Sequence, residues 1–555
     1  MKYFFTAAGL FLAIMSCSAQ YTHQDTLRGS IGPGRNWWNV IHYAIAVTPD
    51  YASQTIRGVN TITFLASGEA KKKVMQIDLQ QPMQIDSIRG DGFRITNYRR
   101  EGNVYYVEPG DKYFAPRPRQ REQNRYTLTI YFSGKPRRAV NPPWDGGWIW
   151  TTDAMGRPWM TVACQGLGAS VWYPCKDHQS DEPENGASLS ITVPDTLVAV
   201  GNGRLKKKTS LRNHTATWEW EVKSPINNYT IVPYIGKYVN WTGAYAGEKG
   251  KLDCSYWVMD YSVEKAKKQF GRDVPPMMKC FEYWFGPYPF YEDSYKMVET
   301  PHLGMEHQSA VAYGNQYKDG YLGMDLSGTG WGLKWDYIII HETGHEWFGN
   351  NITTDDIADM WVHEGFTDYS EVLFVECQYG KKAADEYARG IRQNIQNDKP
   401  VIGPYGINKE GSGDMYAKGA NLLHTIRQVI GNDSLFRQLL RGLNREFYHS
   451  TVTSADVEQY LSRQSGKDLS IIFEQYLRTS RIPELEYRIK DGAVQYRWAN
   501  ALVGFDMPLL VSFGSAEQWI HPRTDGWQSL AIPAGQDENR FTINPNFYIT
   551  SKKTD

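Results

Sequence analysis

Cysteine is scarce in this chain: six residues in 555, none in a CxxC pair. That scarcity excludes a disulfide scaffold and a thiolate zinc ribbon. With Cys17 set aside, Cys164, Cys175, Cys254, Cys280 and Cys377 remain, and buried thiols are their expected state. Charge of one sign is also missing, because 60 basic and 61 acidic residues leave a net charge of −1. Such a balance gives no footprint for nucleic acid or for an anionic membrane. No run beyond the N-terminus approaches the ~20 apolar residues of a spanning helix, so no transmembrane span is expected. Neither an internal repeat nor a low-complexity tract is present, which argues against a solenoid.

The N-terminus itself, MKYFFTAAGLFLAIMSCSAQ, joins one Lys, an apolar run and small residues. This is the pattern of a secretory signal peptide over residues 1–19, cleaved after Ala19. Ile14-Met15-Ser16-Cys17 offers a second reading, a lipid anchor at Cys17, although Met15 fits a lipobox poorly. Either way the expected location is outside the cytoplasm: bacterial periplasm, cell surface or medium.

What is plentiful is aromatic, with 36 Tyr and 19 Trp, a bias that suits wide antiparallel sheets. Residues 20–240 alternate: 43–48, 59–64, 75–79, 126–132, 189–193 and 217–222 each read as strands with one buried face. Within them the stretch 158–195 breaks the alternation with Gly and Pro and carries Gln165, Asp177, His178, Asp181 and Glu182. Its composition favours a solvated turn over a loop facing a cleft. From about 262 the period turns helical, with a break expected at Pro275 and Pro276. Helices are expected from Lys334, from Asp355 behind a Thr-Thr-Asp-Asp cap, and over 381–397, 416–430, 434–447, 454–465 and 468–478. Alternation returns over 480–555, enough for a small sandwich that leans on a neighbour. The fold class is therefore multidomain α+β: an N-terminal antiparallel β domain, a mostly helical domain at 241–479 and a small C-terminal β-sandwich.

The chemistry concentrates in His341-Glu342-Thr343-Gly344-His345. On a helix, residues four apart are turned by only ~40°, so both imidazoles reach one metal ion. Glu342 points aside, placed as general base for the attacking water. Glu364 follows 19 positions after His345, and a second helix can deliver it as third ligand.

HETGHEWFGN followed by HEGFTDYSE resembles the zinc signature of the gluzincin aminopeptidases, the family of aminopeptidase N and leukotriene hydrolase. The resemblance implies one zinc ion per chain on His341, His345 and Glu364, a thermolysin-like catalytic domain, and peptide substrates with a free N-terminus. The resemblance stops short of the large helical C-terminal domain of aminopeptidase N, for which no counterpart is expected in these residues. Leu303-Gly304-Met305-Glu306-His307 is similar to the GAMEN exopeptidase motif, so Gly304 and Met305 are expected to line the substrate and Glu306 to bind its α-amine. Tyr416, before Lys418-Gly419, matches the tyrosine that hydrogen-bonds the oxyanion, and Gln165 the β-domain glutamine near the amine. Leu303 and His307 depart from the motif. Asp368 and Glu371, four and seven after Glu364, both remain open as partners of a zinc-bound imidazole.

The expected function is that of a zinc metallo-aminopeptidase acting by zinc-activated water. A lipid epoxide hydrolase and an inactive surface binding protein are the alternatives on the same fold.

Overall fold

The computed structural model describes residues 21–66, 74–91, 93–110, 125–533 and 540–555. The expected signal peptide at 1–19 and the Cys17 anchor lie outside these residues. Among the described residues no helix is long and apolar enough to cross a membrane.

The N-terminal part is built of strands. A seven-stranded sheet runs in the order Arg204–Ser210, Thr215–Val222, Ala187–Pro194, Trp38–Asp50, Thr55–Ala66, Arg125–Gly134, Gln84–Asp91, and only its central Trp38–Asp50/Ala187–Pro194 pair is parallel. Alternation does what it should: along Thr215–Val222 every second side chain is buried. Four strands led by Gly147–Thr152 and Pro158–Ala163 form a second sheet, and Trp148, Trp172, Tyr43 and Ile62 sit in the core between layers.

The stretch after Pro158 differs from the expected solvated turn. Lys176, Asp177 and Asp181 are all nearly inaccessible, so this is a buried polar network and not a solvated turn. Arg35, fully buried, donates to Asp78 Oδ2 (2.5 Å) and to the Asp177 carbonyl (3.1 Å), while the Tyr43 hydroxyl donates to Asp181 (2.6 Å). Charges can be buried here because each meets a partner. Composition alone does not reveal that pairing.

The first helix, α1 (His23–Gly29), is a strap between the β domain and the helical domain. Its Arg28 donates to the Gly166 carbonyl and lies 3.5 Å from Asp177. At Gly29 a β-carbon would collide with the backbone of Ile407 and Asn408, and the Asn408 amide donates to the Asp25 carbonyl (3.1 Å).

A five-stranded sheet opens the helical domain, in the order Tyr238–Gly247, Gly250–Met259, Tyr295–Glu299, Val311–Tyr313, Gly304–Met305. The expected boundary at 240 falls inside the first of these strands. Helix α2 (Val263–Phe285) passes through Pro275 and Pro276 unbroken, against expectation. Phe270, Val274, Met277, Met278, Phe281 and Phe285 are buried on both sides of the prolines. At ~1.5–3 kcal/mol per buried apolar side chain, that stripe outweighs the ~3 kcal/mol cost of each of the two interior prolines.

Helix α3 spans Tyr337–Gly344, capped by Asp336, and α4 spans Trp361–Tyr379. The start of α4 is later than expected: Ile352–Thr354 pairs as a strand with Ser450–Val452, and Asp356 caps a short 3-10 turn instead. Helices α5 (Lys381–Gly390) and α6 (Ala417–Ile430) pack against α4. Cys280 of α2 and Cys377 of α4 form a disulfide, correcting the expectation of thiols there, whereas Cys164, Cys175 and Cys254 are buried thiols. Two small C-terminal sheets share their core with the helical domain through Leu485, Trp498, Phe505 and Phe513.

Candidate active site

Three side chains converge where α3 meets α4. His341 and His345 Nε2 are 3.3 Å apart, and Glu364 Oε2 lies 3.7 and 3.3 Å from them. Ligands at the ~2.0–2.1 Å bond lengths of zinc in a tetrahedron stand ~3.3 Å apart, which these separations match. Glu364 Oε2 is buried without a hydrogen-bond partner, as an oxygen reserved for a cation would be. Burial would raise the Glu364 carboxyl, but the two imidazoles hold it well below the usual range. The donor set, two imidazoles and one carboxylate, fits a zinc ion.

The ligands are held from behind. His341 Nδ1 meets Glu371 Oε1 at 2.7 Å and Asp368 Oδ1 at 3.5 Å, and the Tyr387 hydroxyl of α5 donates to Glu371 Oε2 (2.7 Å). Geometry thus selects Glu371 as the partner of the imidazole. Burial and the adjoining Glu371 charge push Asp368 well above the usual carboxylate range. His345 Nδ1 is bound by the Phe348 carbonyl at 3.0 Å.

Glu342 lies beside the triad. Burial raises its carboxyl to about 7, against the pull of His341 and His345. A β-carbon on Gly304 would come within 2.5 Å of Glu342 Oε1, so only glycine leaves that carboxylate its place. Gly304–Met305 is the last strand of its sheet, with one edge unpaired among the described residues. Glu306 follows, 2% exposed, accepting a hydrogen bond from the Tyr229 hydroxyl (2.9 Å) and anchored by Asn350 Nδ2 on its carbonyl (2.8 Å). Gln165, from the β domain, reaches across to donate to Glu364 Oε1 (3.2 Å). Tyr416, just before α6, stacks near His341 with ring centres 6.1 Å apart. Burial holds its hydroxyl far above the usual phenol range.

Every metal, catalytic and substrate-binding residue read from the sequence therefore lines one cleft of about 620 Å³, with Glu371 behind it. Leu303 lines it too, whereas His307 turns into the core against the Tyr234 hydroxyl (2.5 Å). His363 Nε2 accepts from the Thr354 amide (2.9 Å), and His363 is not among the residues that line the cleft. Sequence reasoning missed Tyr229, which no local pattern marks, and Glu410, six before Tyr416, which also lines the cleft.

Comparison with known proteins agrees with this geometry. The Peptidase M1 N-terminal domain model matches residues 39–230 and the Peptidase family M1 domain model residues 273–476. Aminopeptidase N of Lactococcus lactis is 24% identical over 58% of this chain and 39% of its own length. Tricorn protease-interacting factor F2 of Thermoplasma volcanium is 24% identical over 60% of this chain and 42% of its own. The chain thus spans about two fifths of the length of these relatives. Among solved structures, the M1 zinc metallopeptidase of Deinococcus radiodurans superposes with a TM-score of 0.67 at 20% identity, covering 83% of this chain and 99% of that one. Two models of one family, together spanning more than half of the sequence, and a shared fold lead to one conclusion: the chain belongs to peptidase family M1.

Proposed function

We propose that this protein is a zinc aminopeptidase that removes the first residue from peptides. The observation that carries the reading is Glu306: a carboxylate buried beside the His341-His345-Glu364 triad, with which no Lys or Arg among the described residues forms an ion pair. A zinc ion held by the triad supplies Lewis acidity, polarising a carbonyl and making water nucleophilic at neutral pH.

The remaining work belongs to the chain's own groups. Glu342 takes the proton of the attacking water on its carboxylate and returns it to the leaving nitrogen; a carboxyl pushed up to about 7 is matched to both transfers. The Tyr416 hydroxyl keeps its proton and donates it in a hydrogen bond to the oxygen on which charge develops. Glu306 and Gln165 receive the substrate ammonium, which exists only at a chain's end. The free edge of Gly304–Met305 offers backbone groups to an extended peptide. Printed names support the reading: relatives are called aminopeptidases, and one Deinococcus structure holds a Tyr-Ser-Ala substrate. Export is part of the proposal. A disulfide between Cys280 and Cys377 suits an oxidising compartment, and the N-terminal leader pattern supplies the route, with Cys17 acylation as the alternative tether.

The test is a pair of leucyl amides, one free and one N-acetylated. Only the free one should be hydrolysed, and a chelator should stop it. Equal cleavage of both would reject the aminopeptidase reading.

Behind the metal, Glu371→Ala should raise the zinc dissociation constant about 10-fold, at the low end of the 10–100-fold usual for such partners. Asp368, 3.5 Å from the same imidazole nitrogen, stays to share its load. Competition titration against a chromophoric chelator reads the value, and an unchanged constant would show that Glu371 does not tune the site.

A further inference from the structure

The cleft holds more carboxyl groups than the chemistry above uses. Glu306, Glu342, Glu364, Asp368 and Glu410 line it, and among its described lining residues there is no Lys or Arg. Glu342, Glu364 and Glu306 have roles, and Asp368 sits against Glu371. Glu410 has none. It accepts no hydrogen bond and forms no ion pair among the described residues, although its carboxylate feels both Glu364 and Glu306. The cation with the strongest pull on it is the solvent-exposed Lys399, and that pull is the weakest of the influences on Glu410.

Its position is fixed rather than incidental. A β-carbon on Gly166 would sit 3.4 Å from Glu410 Oε1, so the carboxylate lies against the residue that follows Gln165. The loop bearing it is held on several sides: Asn408 Nδ2 donates to the Gly166 carbonyl (3.1 Å), the Gly406 amide to Asp356 (2.8 Å) and the Gly403 amide to the Ala358 carbonyl (3.0 Å). Arg28, on the same carbonyl of Gly166, is engaged with Asp177 and does not neutralise Glu410. The carbon that carries a peptide's terminal amine also carries its first side chain. A wall adjoining the amine site is therefore where that side chain passes.

We propose that Glu410 selects substrates whose N-terminal residue has a cationic side chain, lysine or arginine. The inference rests on the aminopeptidase reading and narrows its substrate class. One terminal ammonium neutralises one carboxylate, and a second cation on the same residue satisfies the next. Acidic first residues are repelled by the same wall.

Lysyl and norleucyl coumarin amides differ chiefly by the side-chain ammonium, and so isolate the term. The full-length wild-type protein with zinc bound should show a lysyl-to-norleucyl ratio of kcat/KM of about 10 or more, falling as ionic strength rises. Glu410→Gln should lower that ratio about 10-fold, and Glu410→Lys should bring the glutamyl amide above the lysyl one. Because each ratio is taken within one preparation, partial misfolding cancels. An unchanged ratio in Glu410→Gln overturns the proposal. An equal loss on both substrates overturns it as well, and assigns Glu410 to the α-amine. If no free-amine amide is hydrolysed by the wild type, the aminopeptidase reading itself falls and takes this inference with it.

Discussion

Glu342→Gln is expected to cut kcat by about 10³-fold or more while zinc still binds one per chain. Removing a positioned general base or acid typically costs ~10²–10⁴-fold, and here one carboxylate serves in both directions. The amide of glutamine keeps the shape of the side chain against Gly304, whose bare backbone leaves no room for anything larger beside it. The ligands His341, His345 and Glu364 are untouched, so metal content separates a chemical defect from a lost site. KM should change little, since Glu342 is assigned to the reacting water and not to the ammonium. A variant that holds zinc and turns over at more than a tenth of the wild-type rate would remove Glu342 from the mechanism.

Glu306→Ala is the second large effect, expected to lower kcat/KM for free-amine substrates by ~30-fold to 10³-fold. Truncating one partner of a buried charge pair costs ~2–5 kcal/mol, and Glu306 is buried to 2% exposure. Against N-acetylated amides the variant should lose nothing, because those substrates have no ammonium to hold. Discrimination between free and blocked substrates therefore collapses from the free side. The Tyr229 hydroxyl, left without its 2.9 Å acceptor, adds to the penalty. Retained selectivity in Glu306→Ala would place the amine elsewhere in the cleft, with Gln165 or Glu410 as the next candidates.

The parts of this site that were legible in the sequence are those set by a local period. His341, Glu342 and His345 are read from one helical repeat, and Glu364 from a short link to the next helix. Most strands of the β domain follow from alternation for the same reason. Gln165 and Glu306 became readable only through likeness to a family, since nothing in their neighbourhoods predicts a cleft. Tyr229 and Glu410 were invisible, because contacts between distant segments place them: Tyr229 meets Glu306 77 positions away. The prolines of α2 were misread where packing overrides a local rule. The Cys280–Cys377 bond was missed because spacing cannot say which helices lie side by side.

That bond has a consequence for how the protein meets a shortage of metal. It closes a span of 97 positions and ties the far end of α4 to α2, while the first four turns of α4, which carry Glu364, Asp368 and Glu371, are buried. A helix held in this way is expected to keep its place when the ion leaves. Losing and regaining zinc is then an exchange between solvent and a cage that persists, not a cycle of unfolding and refolding. A starved population would wait as intact, reloadable protein.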